Sequence, residues 1–301
     1  MDSSKPACAT SSNQKRKAEY SMMVYCKRTK FMATYYRQDF SMPDSVIFYV
    51  AKNPKTAELY LKMVKTCKYF FVKNPIIVIP KLWAHYGGKW SSGRVILNLT
   101  KYNCKYWITS EIYAPAHGLV NQNIVSSIIP KLYRCDVKRL FLFHQIIFFN
   151  DLLLLISSAE WINFTNVIVK HADSSDVPLE DIVAIAIKAE EISFTEPIIT
   201  SKTMKELTKL PNFSKFYHFV LYNLSEVYDI DAFYSYMKKN KHTKLSIDFN
   251  PQISDAFKNR LETIVDEILE TEQFNYKPPI IKFAGLDIQK YTKFCQLYFS
   301  H

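Results

Sequence analysis

The eleven residues AEWINFTNVIV (159–169) return thirty residues later as AEEISFTEPII (189–199). In both, an Ala-Glu pair leads into an apolar-x-apolar core, Ile162/Phe164 and Ile192/Phe194. β-Branched and aromatic residues at period two predict strands with one buried face. Working outward, the same core appears at Leu140/Leu142, Phe219/Leu221, Leu245/Ile247 and Ile281/Phe283. Successive cores begin 22, 30, 27, 26 and 36 residues apart. Asn166 and Asn223 follow their cores at one common offset, and Glu196 takes that place in a third.

Between the cores lie helical patterns with capping residues. Asn150 precedes 152–156, Asp176 and Pro178 precede Ile182 and Ile185, and Ser201 precedes Met204 and Leu207 with Pro211 as the stop. Asp229 precedes Phe233 and Met237, and Ser254 precedes Phe257, Leu261, Ile264, Val265 and Ile268, the most regular amphipathic stretch. A strand-then-helix unit predicts parallel strands, because antiparallel neighbours are joined by tight turns. A doubly wound sheet and a leucine-rich-repeat-like solenoid both satisfy this. The common asparagine offset and a total of five glycines favour the solenoid. The expected fold is therefore α/β, a β/α solenoid with a parallel sheet over 81–301. Further strands are expected at 94–99 and around Tyr106-Trp107-Ile108, and a helix over 119–129 ended by Pro130. The greasy run 140–156 contains His144, Gln145, Asn150 and Asp151, which are costly at bilayer depth, so a buried strand and helix are expected there and no membrane span.

Charge and composition narrow the function. The chain of 301 residues carries a formal net charge of +11, which draws it towards polyanions. Residues 1–41 hold eight Lys and Arg against three Asp and Glu, and 1–39 read as a solvated basic tail. The Lys15-Arg16-Lys17 and Lys27-Arg28 clusters leave nuclear import or nucleic-acid contact open. Six cysteines without a C-x-x-C pair, and seven histidines without ligand spacing, exclude zinc motifs and a dense disulfide framework. So few glycines exclude phosphate-cradling loops. The polar N-terminus has no apolar signal core, so a cytoplasmic or nuclear protein with reduced thiols is expected. No triad can be nominated, and the Glu190-Glu191 and Asp266-Glu267 pairs read as solvated charge, so the expectation is a non-enzyme without cofactor or metal.

Residues 42–79, MPDSVIFYVAKNPKTAELYLKMVKTCKYFFVKNPIIVI, have a different character. Pro43 suits a helix start, Val46, Ile47 and Val50 form an apolar stripe, and Asn53-Pro54 breaks it. Leu59, Met63, Val64, Cys67, Phe70 and Phe71 repeat near period 3.6 until Asn74-Pro75. Two or three short helices in so short a segment bury little area, which predicts a partner or a supporting domain.

This segment resembles the F-box: Met42-Pro43 opens it and Cys67-Lys68-Tyr69-Phe70 closes it. The wider arrangement is similar to the nematode-type divergent F-box proteins, in which a basic tail and an F-box (here 40–80) precede a leucine-rich-repeat-like region. The resemblance implies docking on a Skp-type adaptor and through it a cullin ubiquitin ligase, with the repeat region capturing a substrate protein. It assigns the adaptor-facing or supporting role to Pro43, Val46, Ile47, Val50, Leu59, Cys67 and Phe70. Two alternatives stand beside it. Aromatics interleaved with lysines, as in Lys105-Tyr-Trp107 and Lys215-Phe-Tyr217, are what a single-stranded nucleic-acid-binding protein needs. A repeat interaction scaffold without a ubiquitin-ligase role is the other.

Overall fold

The computed structural model describes residues 39–85, 88–99, 103–115 and 123–300, together with Ala33. The expected basic tail up to residue 38 lies otherwise outside them. The chain divides into two compact units between Pro75 and Ile76.

The first unit holds α1 (Asp44–Lys52), α2 (Ala57–Thr66) and α3 (Lys68–Lys73). The Pro43 carbonyl accepts the first helical N–H groups, from Val46 at 2.9 Å and Ile47 at 3.2 Å. The Asn53 side chain donates back to the Tyr49 carbonyl at 2.9 Å, and Pro54 beyond it cannot continue the helix. The Thr56 hydroxyl caps α2 by accepting from Leu59 N at 3.1 Å. Cys67 is extended, which separates α2 from α3, and its Sγ accepts from Tyr69 N at 3.4 Å. Asn74 ties the unit together. Its amide donates to the carbonyls of Ala51 at 3.0 Å and Lys52 at 3.3 Å at the end of α1. Its own carbonyl accepts from the Tyr60 hydroxyl of α2 at 2.8 Å. A residue that the sequence marks only as a helix stop thus satisfies the orphan carbonyls of another helix.

The second unit is built on an eleven-stranded, mostly parallel sheet. Its opening strands are β1 (Ile76–His85), β2 (Lys89–Ser92), β3 (Val95–Leu97), β4 (Lys105–Pro115) and β5 (Leu132–Cys135). They are followed by β6 (Arg139–Phe143), β7 (Ile146–Phe148), α4 (Phe149–Ile156), β8 (Trp161–Thr165) and β9 (Ile168–Lys170). Then come α5 (Leu179–Ile185), β10 (Glu191–Thr195), α6 (Thr203–Leu207), β11 (His218–Leu224) and α7 (Ile230–Met237). The last elements are β12 (Lys244–Phe249), α8 (Asp255–Leu269), β13 (Ile280–Lys282) and α9 (Ile288–Ser300). The sheet runs β13-β12-β11-β10-β8-β6-β4-β1-β2-β3, with β5 paired to β4 off this path, and β7 pairs with β9 in a second, two-stranded sheet. All neighbours from β13 to β1 are parallel, whereas β2 and β3 add antiparallel hairpins outside β1.

The repeated cores become rungs. Ile112, Leu140, Ile162, Ile192, Phe219 and Leu245 lie side by side, each at most 2% exposed. The next inward rung carries Ala114, Leu142, Phe164, Phe194, Leu221 and Ile247, with the Phe164 and Phe194 rings 5.1 Å apart. The buried faces of α4–α8 pack on these rungs in one hydrophobic core. The helix caps at Asp229 (to Ala232 N) and Ser254 (to Phe257 N) form as expected.

Four expectations need correction. Ile281 pairs with Ile247 and not with Leu245; a slip of two residues keeps the same side chains inward, so a period-two pattern cannot detect it. The strand near Tyr106 runs on to Pro115, and Ile112 and Ala114 form a rung before the first core found in the sequence, hidden because Ala114 is small. Of the helix expected over 119–129, residues 119–122 lie outside the described ones. The remainder is turn followed by a 3-10 turn at Ile129–Lys131, with Ile124, Val125 and Ile128 buried without a helix. Asn150 does not cap α4, which begins at Phe149 directly after β7.

The offset noted at Asn166, Glu196 and Asn223 has a backbone cause, and His144 belongs to the series. All four adopt the left-handed region, with φ of 53°, 52°, 56° and 57° for His144, Asn166, Glu196 and Asn223. The N–H of His144, Asn166 and Glu196 reaches a carbonyl of the next strand, the last one at Thr165 (2.8 Å) and Thr195 (3.2 Å) and the one at Tyr222 (3.0 Å), two residues before the end of β11. After the bend, Ile146 and Ile168 start the second sheet in register. Pro197 stands where Val167 stands thirty residues earlier and has no N–H to donate. Asparagine tolerates this conformation and a β-branched residue does not. Asn223→Val is therefore expected to cost about 2 kcal/mol in urea unfolding, and Asn223→Gly about 1 kcal/mol or less, for the lost side-chain hydrogen bond to Glu196. Equal losses for the two variants would show that backbone conformation is not the cause.

Candidate protein-docking surfaces

In the first unit the apolar residues of α1 divide between two faces. Ile47 and Ala51, one turn apart, are buried. Val46, Tyr49 and Val50 point away and are 42%, 68% and 38% exposed. The stripe Val46, Ile47 and Val50 is thus not one surface, because consecutive helical residues lie about 100° apart. Of the other residues assigned by resemblance, Pro43 and Leu59 are exposed, whereas Cys67 and Phe70 are half-buried. Phe70 belongs to an aromatic cluster, with ring centroids 6.1 Å from Phe40 and 5.8 Å from Tyr69. The sequence reading missed Phe48, Tyr49 and Leu61, all exposed; their signal was their position between inward residues.

Lysines border this apolar surface. Lys52 lies 5.6 Å from the Phe48 ring and Lys73 lies 5.6 Å from the Tyr69 ring. Residues 1–75 hold fourteen Lys and Arg against five Asp and Glu, whereas 76–301 hold twenty-five against twenty-three. The chain's basicity is therefore concentrated ahead of the sheet.

The second surface is the sheet face opposite the helices. Strand alternation that turns Leu140 and Ile162 inward turns Phe141, Trp161 and Asn163 outward. One outward row runs Ile96, Ser91, Trp83, Tyr113, Phe141, Asn163, Ser193 and Val220 across neighbouring strands. A second runs Lys81, Glu111, Arg139, Trp161, Glu191, His218 and Lys244. From β3 to β8 the face carries the aromatics Trp83, Tyr113, Phe141 and Trp161 with Lys81, Glu111 and Arg139 among them; from β10 to β12 it carries Ser193, Thr195 and Ser246 with Glu191, His218 and Val220.

Glu111 organises the aromatic half. Its carboxylate accepts from Trp83 Nε1 at 2.6 Å and pairs with Arg139 at 2.8 Å, and the residue is 7% exposed. Arg139 in turn lies 5.8 Å from the Trp161 ring, Lys81 lies 6.0 Å from the Trp83 ring, and Tyr113 and Phe143 are 5.3 Å apart. Trp83, Tyr113 and Trp161 remain 36%, 39% and 37% exposed. The rings are held in place while presenting surface to solvent.

Helix α9 crosses the other end of this face. Lys244 of β12 donates to the Tyr298 carbonyl at 3.4 Å and lies 5.3 Å from its ring. Burial pushes the Tyr298 phenol up to about 12. The helix is tied back to α8 by Lys290, 3.0 Å from Glu262 and 2.7 Å from Asp266.

Among the described residues, little else suggests chemistry. His85 Nε2 lies 2.6 Å from Ser91 Oγ, but Ser91, although in the outward row, is covered by its neighbours and only 2% exposed. Burial pushes the Cys135 thiol up to about 12, so it stays protonated. Among the described residues no cluster of three His, Cys, Asp or Glu could hold a metal ion, and no helix is long and apolar enough to cross a membrane. Comparison with protein-family models, with curated proteins and with solved structures finds no match to this chain.

Proposed function

We propose that the chain is a non-enzymatic substrate-recognition subunit of a Skp-cullin-F-box-type ubiquitin ligase. Helices α1–α3 dock a Skp-type adaptor, and the sheet unit captures a substrate protein. The observation that carries the reading is the set Val46, Tyr49, Val50, Leu59 and Leu61, exposed on a helical unit of about thirty residues. Such apolar exposure at i, i+3 and i+4 suits a helix lying in a partner's groove. The same reading takes the second unit as a leucine-rich-repeat-like solenoid. Strands that add in sequence order and bends that recur at one offset support it.

The test is co-purification with a Skp-type adaptor. Val50→Asp places a charge on the exposed stripe and is expected to lower adaptor retention about tenfold or more, with thermal stability unchanged. Ile47→Asp is a poor probe, since Ile47 is buried and its loss mixes unfolding with lost docking. No adaptor retained by the wild-type chain would overturn the reading.

A further inference from the structure

We propose that the sheet face between β1 and β8 binds an acidic peptide segment anchored by bulky apolar side chains; the inference rests on reading this unit as the part that captures a protein. Trp83, Tyr113 and Trp161 offer partly exposed rings on three of the four strands β1, β4, β6 and β8. Those strands span about 14 Å at ordinary strand spacing, the length of four or five extended residues. Rings that are already immobilised lose little freedom when covered, so they make strong anchors.

Charge selects the partner. Among the described residues, the charged side chains on the outward rows from β1 to β6 and on the flanking β2 are the exposed Lys81 and Lys89 and the half-buried Arg139, all cationic, together with Glu111. The one carboxylate among them, Glu111, is covered and already engaged by Trp83 and Arg139. An incoming carboxylate therefore meets positive groups on the Trp83 and Tyr113 side of the face, while Glu191, beside Trp161 on β10, bounds the patch with the opposite charge. A nucleic-acid strand fits less well. Its affinity scales with the number of phosphates neutralised, and Arg139 is already paired while 76–301 as a whole hold only two basic residues in excess. One or two peptide carboxylates need no more than Lys81 and Lys89 supply.

The test uses the full-length chain and a displayed library of random peptides about twelve residues long. Selection on wild type is compared with selection on Tyr113→Ala/Trp161→Ala and, separately, on Lys81→Glu, each variant first matched to wild type in thermal unfolding. Peptides enriched on wild type are expected to carry net negative charge and at least one Trp, Phe or Leu. The best of them is expected to bind each variant about tenfold or more weakly. Oligouridine of comparable length is expected not to compete. Enrichment no greater than on the variants, an enriched pool without negative charge, or displacement by oligouridine would each overturn the proposal. Adaptor retention is measured on the same preparation. Selection that fails with the adaptor retained removes the peptide site alone, and selection that succeeds without the adaptor removes the ligase role alone.

Discussion

Replacing Phe219 with alanine is expected to lower the free energy of unfolding by about 3–5 kcal/mol. Phe219 is fully buried in the first rung, between Ile192 and Leu245. Its ring meets Phe213 edge-on at 5.0 Å and stacks on Phe216 at 5.9 Å, both on the connection leading into β11. Alanine removes the ring from the sheet and from the connection together, and neither Phe213 nor Phe216, each at most 2% exposed, has free space into which to move. Denaturant unfolding followed by circular dichroism measures the loss. Val220→Ala, one residue along on the outward face, serves as the control and is expected to cost about 1 kcal/mol or less. A Phe219 loss no larger than the control would mean that the rung is not assembled in this register.

The second large effect is expected at Glu111. Truncation to alanine leaves Trp83 Nε1 without its acceptor and Arg139 without its carboxylate. Breaking a buried charge pair costs about 3–5 kcal/mol, but the Arg139 side chain is 32% exposed, so screening reduces the expected loss to about 2 kcal/mol. Glu111→Gln keeps an acceptor for the indole and is expected to lose about 1 kcal/mol. The two variants are compared by urea unfolding at low and high salt, where only the ionic part of the difference is screened. Because Glu111 holds Trp83 and Arg139, the alanine variant is also expected to loosen the aromatic face. Indistinguishable stabilities for wild type and Glu111→Ala would show that the three groups do not act together.

What was legible in the sequence follows from what a pattern can record. The thirty-residue echo fixes the pairing of Ile162 with Ile192 and Phe164 with Phe194, because equal spacing from strand start to core survives as register. The lengths of β7 and β9, three residues each, are too short to show a period. Strand β1 escaped for another reason. Ile76–Ile79 follow the helix stop Asn74-Pro75 at the end of the 42–79 stretch, where no strand is expected from the sequence, while Pro80 interrupts the alternation where the β1–β4 register shifts.

The surface aromatics show the limit most clearly. Lysine-adjacent aromatics chosen by sequence are largely internal: Tyr106 and Trp107 are 4% and 0% exposed, and Phe216 is 1% exposed, although Tyr217 is 51% exposed. Neighbours in a strand point to opposite faces, so a ring beside a lysine in sequence is apart from it in space. The usable signal was the residue just before an inward core, as Trp161 stands before Ile162. In α1 the same logic, at period 3.6, separates Ile47 from Val46 and leaves Tyr49 on the outer stripe.

The order of the sheet bears on how the chain is made. From β6 onward, the partner that each strand of the main sheet joins on its earlier side has been synthesised before it. Each new strand closes a loop of some tens of residues, which costs only a few kcal/mol of entropy and grows slowly with length. The sheet can therefore be laid down from its β4 side outward while the chain is still leaving the ribosome, each exposed edge serving as the template for the strand that follows.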